Sequence, residues 1–168
     1  MINLNAPRWD LSNVFPGLDS PEFNNAVTKL SDQIAELESF FGDKVSKANL
    51  NTDADDLANV ASEILQRFNE TNDLAETVEV YIYSFISTDS FDQLAKKLLS
   101  QYEQVGLRLS MLGVQAQQWI GSIAPVLPQL LKADKIVRDH AFFLKETAEQ
   151  SRYLMSEAEE ALAAELSL

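Results

Sequence analysis

Apolar residues return at alternating spacings of four and three along most of this chain, and that rhythm predicts helices. Phe23, Val27, Leu30, Ile34, Leu37 and Phe41 form the first stripe, the period of an amphipathic helix with a narrow seam against a partner. Ser20-Pro21 opens it as an N-cap followed by proline at the first helical position, and Gly42 is expected to stop it. Lys44 to Thr52 is a polar connector, after which Thr52 or Asp53 can cap a second helix. Leu57, Ala61, Ile64, Phe68, Thr71, Ala75, Val78, Ile82 and Phe85 hold the same rhythm with no Gly or Pro among them, giving a helix about 50 Å long. Thr71 and Asn72 interrupt it, and a bend or a hydrogen bond to a neighbouring helix is expected there.

Ser87-Thr88-Asp89-Ser90 reads as a tight turn. Beyond it Phe91, Leu94, Leu98, Val105, Leu109, Leu112, Ala116 and Trp119 continue the stripe until Pro125, because proline cannot continue a helix. So short a turn makes the second and third helices antiparallel neighbours, a hairpin from about Asp53 to Ala124. Gly106 and Gly113 fall on one face of the third helix and are expected to permit close helix–helix approach. Pro125 to Pro128 is a connector. A fourth helix is predicted from roughly Ala133 to Gln150, burying Ile136, Val137, Phe143 and Leu144. The capping box Ser156-Glu157-Ala158-Glu159 opens a fifth, carrying Ala161, Leu162 and Leu166. The first nineteen residues lack helical periodicity; Pro7, Asn13, Pro16 and Gly17 punctuate them, with Trp9, Leu11, Val14 and Phe15 as apolar anchors. The expectation is an all-α fold: a long antiparallel helical hairpin within a multi-helix bundle, a single helical domain over 1–168, with an irregular arm at 1–19 and helices over 20–168.

Composition supports this and narrows the function. The 168 residues are 46% hydrophobic and 23% charged, with 5 Gly and 5 Pro, a globular composition poor in the turn residues of a β-sandwich. The net charge of −13 has the wrong sign for a reader of phosphate backbones, so no nucleic acid partner is expected. The most apolar stretch, Trp119 to Leu131, is too short for a bilayer and carries two prolines, so no membrane partner is expected either. The opening residues lack the basic and apolar regions of a secretion signal, which points to a cytoplasmic protein. With no cysteine, disulfides and thiolate metal sites are excluded.

Candidate chemistry is sparse. The one histidine, His140, cannot build His-Glu-x-x-His. Nor can it complete Glu-x-x-His, because Ile136 and Val137 stand where the glutamate is needed. Asp139 points away from it on a helix, and His140 reads as a half-buried structural residue. There is no nucleophile elbow and no phosphate-cradling glycine loop. The acidic pairs Asp55-Asp56 and Glu159-Glu160 read as solvated faces. The Gln115-Ala116-Gln117-Gln118-Trp119 run could hold a peptide backbone, but reads better as a polar face beside a buried tryptophan. No catalytic, cofactor-binding or metal residue is assigned.

Two segments carry a family resemblance. Arg8-Trp9-Asp10-Leu11-Ser12-Asn13-Val14-Phe15-Pro16 resembles the Trp-Asp-Leu-Ser/Thr signature that opens many members of the oligoendopeptidase F family, thimet-oligopeptidase-related zinc metallopeptidases. Ser20-Pro21-Glu22-Phe23 is similar to the helix start that follows there. Tyr153-Leu154-Met155-Ser156-Glu157-Ala158-Glu159-Glu160-Ala161-Leu162 resembles the family's Leu-Ser-Glu-x-Glu-Glu-x-Leu stretch, with Tyr153 where many members place a histidine, as in a variant branch. The resemblance implies that the chain is the first part of a longer, almost wholly helical peptidase. Zinc would then sit on a His-Glu-x-x-His helix in the missing C-terminal part, and no metal residue carries over. It implies a non-catalytic lobe forming part of the wall of a channel for short peptides, with the catalytic domain of the same protein as partner and no activity in this chain alone. Leu168 falls within what should be a continuing helix, as in an expressed or proteolytic fragment. Apolar faces left by the missing part, with Ala141, Phe142, Leu154, Met155 and Leu162 as candidates, would then favour a homodimer of the fragment. The alternative is a stand-alone helical interaction or dimerisation protein using its hairpin as a coiled-coil adaptor. The reading frame beyond Leu168 separates the two.

Overall fold

Ser20 starts the first helix as its residue type dictates. Its Oγ accepts from the Phe23 N–H at 3.2 Å, satisfying one of the donors a helix start leaves open, and helix α1 runs Pro21–Asp43. In this computed structural model, which describes residues 10–154, five further helices follow: α2 Ala54–Thr88, α3 Gln93–Ser122, α4 Leu127–Ala133, α5 Lys135–Asp139 and α6 Ala141–Gln150. Short 3-10 turns lie at Val45–Lys47, Ala124–Val126 and Ser151–Tyr153. Among the described residues there is no strand, and the chain is an all-α helical bundle. The hairpin expected from Asp53 to Ala124 is α2 and α3, within a residue or two at each end. The described residues form two compact units, one of 10–36 with Asn69–Arg108, the other of Leu37–Phe68 with 109–154.

In the first unit Phe23, Leu30 and Ile34 of α1 are buried with Val78, Tyr81 and Ile82 of α2. Each such burial contributes about 1.5–3 kcal/mol. α2 passes unbroken through Thr71, which is buried, and Asn72, which is exposed. The turn to α3 is built from two aspartates. Asp89 Oδ1 accepts from the Phe91 N–H at 2.9 Å, and Asp92 Oδ1 caps α3 by accepting from Ala95 N at 2.9 Å. The antiparallel pairing shows in Tyr102 of α3, whose phenol donates to Glu79 Oε2 of α2 at 3.1 Å.

The start of the α3 stripe is displaced from expectation. Phe91 is 80% exposed and Leu94 is exposed too, while Ala95 is fully buried. The helix begins only at Gln93, so Phe91 stands in the turn, where Lys96 Nζ lies 5.8 Å from its ring centroid. The inward face therefore runs from Ala95, one position later than the apolar pattern suggests. Gly106 and Gly113 do not mark a close approach either. A Cβ at Gly113 would meet nothing within 4 Å, and one at Gly106 only Tyr102 of the same helix. Gly42 is no helix stop by backbone: no glycine among the described residues has positive φ, and α1 runs one residue past it.

In the second unit the buried face is wider than a two-position seam. Leu57 and Ala58, then Ile64 and Leu65, are buried as adjacent pairs. Phe41 stacks edge-on against Phe68, with ring centroids 6.1 Å apart. Phe40 is covered by Arg67, whose guanidinium carbon lies 4.9 Å from the ring centroid. Glu63 meets both Lys44, at 2.9 Å, and Arg67, at 3.6 Å.

The single helix expected over Ala133–Gln150 is instead two, α5 and α6, and the extra helix α4 takes in Leu127 and Pro128 of the expected connector. Asp134 separates α4 from α5. Its backbone is extended (φ −122°, ψ 141°), which lets its Oδ1 accept from Val137 N at 2.9 Å, a local bond that competes with helix continuation. His140 makes the second corner, at φ −99° and ψ 19°. Leu127, Leu130, Val137, Leu144 and Ala148 are buried, but Ile136 is only half-buried and Phe143 is exposed. The capping box at Ser156, the fifth-helix residues Ala161, Leu162 and Leu166, the pair Glu159-Glu160 and the apolar candidate Met155 lie outside the described residues, as does Trp9.

Candidate ligand cleft beside the arm

The arm is held in place by two short-range turns and one aromatic anchor. Asp10 Oδ1 accepts from the Ser12 N–H at 2.9 Å. The Leu11 carbonyl accepts from Val14 N at 2.9 Å and Phe15 N at 3.3 Å, which swings Phe15 toward the helices. Its ring packs edge-on against Phe23, centroids 5.4 Å apart, and against Tyr81 at 5.0 Å. Tyr81 in turn meets Phe85 at 5.2 Å. The Tyr81 phenol donates to the Phe15 carbonyl at 2.7 Å.

Between arm and helix lies a cleft of about 760 Å³, walled by Asp10 and Ser12 on one side and by Tyr81, Ser84, Phe85 and Thr88 on the other. The α2 residues recur at spacings of three and four, so they share one helix face. Their hydroxyl protons are committed to the backbone. Ser84 Oγ donates to Tyr81 O at 2.6 Å and Thr88 Oγ1 to Ser84 O at 2.9 Å. Ser87, at the rim, donates to Tyr83 O at 2.8 Å.

The same geometry sets the titration of these groups. Hydrogen bonds from the Ser12 backbone and then its side chain hold the Asp10 carboxyl below its ordinary value, so it is ionised at neutral pH. Burial pushes the Tyr81 phenol up, so it stays protonated and donating. In the same unit, burial, with the nearby Glu79 charge and hydrogen bond adding to it, raises Tyr102 to about 12.

The residues weighed for chemistry in the sequence do not converge. His140 is half-buried at the corner between α5 and α6, with Nδ1 2.8 Å from the Ile136 carbonyl oxygen. Asp55 and Asp56 are exposed in the first turn of α2, where the helix dipole favours acids. Trp119 is buried and donates from Nε1 to the Ala48 carbonyl at 2.8 Å, with Gln115 and Gln118 exposed beside it. Among the described residues no cluster of three His, Asp or Glu is placed to hold a metal ion, and no helix is long and apolar enough to cross a membrane.

The cleft was not singled out from sequence. Its signal was an aromatic residue in an aperiodic arm, Phe15, and hydroxyl residues interleaved with aromatics at helical spacing, Tyr81-Ser84-Phe85-Thr88. No protein-family model matches the chain, and no curated protein or solved structure matches it.

Proposed function

We propose that the chain is the non-catalytic N-terminal lobe of a zinc metallo-oligopeptidase of the oligoendopeptidase F kind, forming part of the wall of a channel that admits short peptides. The observation that carries the reading is the opening signature, several of whose described residues have a structural task. Asp10 and Ser12 close a turn, Phe15 enters the aromatic cluster, and Ser20-Pro21 starts α1. The resemblance has those residue types in that order, and Asp10, Ser12 and Phe15 border a cleft open to a ligand. Catalysis and zinc belong to the downstream part of such a protein.

The test is the coding sequence after the Leu168 codon, followed by expression of the chain with and without it. The expected outcome is a frame that reaches His-Glu-x-x-His, with chelator-sensitive cleavage of unstructured peptides only by the longer protein. A stop codon directly after Leu168, or chelator-sensitive peptidase activity from the 168-residue chain alone, would overturn the proposal. The stop codon would favour the stand-alone interaction protein.

A further inference from the structure

We infer that the cleft between the arm and the C-terminal turns of α2 binds a cationic nitrogen group, the guanidinium or ammonium of an arginine or lysine side chain carried on a peptide. The assignment follows from what the walls can and cannot donate. Tyr81, Ser84, Ser87 and Thr88 each direct their hydroxyl proton at a backbone carbonyl, so these hydroxyls offer a ligand only lone pairs. Asp10 adds an ionised carboxylate, and among the described residues no lysine or arginine pairs with it. Phe15 and Phe85, which both line the cleft and each pack against Tyr81, supply aromatic surface that attracts a cation. A ligand rich in N–H donors and bearing positive charge satisfies every one of these walls. An anion or a neutral acceptor satisfies none of them. The net charge of −13 raises the local concentration of cations at such a site. That the cation arrives on a peptide rests on the channel-wall reading; the preference of the cleft for a cation does not.

The experiment is an amide-resolved NMR titration of the 168-residue chain with Nα-acetyl-arginine amide and with its neutral isostere, Nα-acetyl-citrulline amide. Saturable shifts are expected at Ser12, Ser84, Phe85 and Ser87 with the arginine probe, with citrulline weaker by about two- to fivefold, the scale of one solvent-exposed ion pair. Asp10→Asn keeps an oxygen for the Ser12 turn while removing the charge, and should weaken the arginine probe by a similar factor. Added salt should weaken it as well. Equal binding of the two probes, an unchanged affinity in Asp10→Asn, or no saturable shift at these residues would each overturn the inference. The test is independent of zinc and of the downstream chain. A reading frame without His-Glu-x-x-His would remove the peptidase reading and leave this result untouched.

Discussion

The Tyr81 phenol and the Phe15 carbonyl, 66 positions apart in sequence, meet at 2.7 Å, a polar tie between the aperiodic arm and α2. Tyr81→Phe keeps the ring contacts with Phe15, Phe23 and Phe85 and deletes only the donor. The cost should be about 1 kcal/mol, or roughly 2–4 °C in Tm for a chain of this size. Hydrogen exchange should localise the effect. The Val14 and Phe15 amides, bonded to Leu11 O, should exchange several-fold faster while Val137 is unaffected. A uniform change across both compact units would show that the bond does not hold the arm.

The Tyr102–Glu79 pair sets a pH dependence at the alkaline end. Folding raises the Tyr102 pKa from 10.0 to about 12, so the native state binds the phenolic proton more tightly than the unfolded chain does. The stability this contributes is whole below pH 10 and is lost as pH rises through about 12. Glu79→Gln removes the like-charge repulsion against phenolate, so the Tyr102 pKa should fall, yet stay above the ordinary value because burial is the larger cause. Phenolate absorbance, read as the difference between wild type and Tyr102→Phe, measures this directly. A rise in pKa on Glu79→Gln would contradict the assignment.

Most of the fold is legible in the sequence because its determinants are local. Ser20-Pro21 announces a helix start by its own hydrogen bond, and the four-three stripes of α1 and α2 coincide with buried faces from Phe23 to Ile82. What escaped the pattern depends on partners that periodicity does not reveal. Phe91 looks like a stripe residue, but the Asp92 cap at Ala95 starts the helix after it. Asp134 and His140 sit inside an apolar period that a continuous helix would use, and their local bonds divide it. Glycine spacing suggested Gly106 and Gly113, whereas the crowded position is Gly121, whose neighbour Ser151 is thirty residues away. The candidate cleft was illegible for the same reason: Asp10, Tyr81 and Thr88 come together only through tertiary packing.

Trp119 anchors the second unit in a comparable way. Its indole N–H donates to the Ala48 carbonyl at 2.8 Å, linking α3 to the turn that leads out of Val45–Lys47. Trp119→Phe loses both that bond and part of the buried ring, and should cost about 2–4 kcal/mol by the measured scale of large-to-small core changes together with a lost hydrogen bond. Phe142→Ser should cost under about 0.5 kcal/mol, because Phe142 is 80% exposed. Urea melts of the two variants make the comparison. Equal midpoints would mean that the indole is not anchored as the structure has it.

Two glycines of α3 should respond to alanine with opposite signs. In a helix interior Gly→Ala gains up to about 1 kcal/mol from propensity, and Gly113 leaves a Cβ nothing to meet within 4 Å. Gly113→Ala should therefore raise the urea midpoint. At Gly121 the same Cβ would lie 2.6 Å from Ser151 Cβ and collide with Ser151 Oγ, the hydroxyl that donates to the Ala148 carbonyl at 2.7 Å where α6 ends. Ser151 Oγ could turn away about χ1, but its Cβ is fixed to the backbone, so the backbone after α6 must shift. Gly121→Ala should lower the midpoint by the equivalent of about 1–3 kcal/mol, the range for overpacking a filled site. Ser151→Ala in that background should restore little, because the Cβ remains. Ser151→Gly should restore most of the loss, since it removes both clashing atoms. A Gly121→Ala variant as stable as Gly113→Ala would show that α3 and the segment after α6 are not packed against each other at this point.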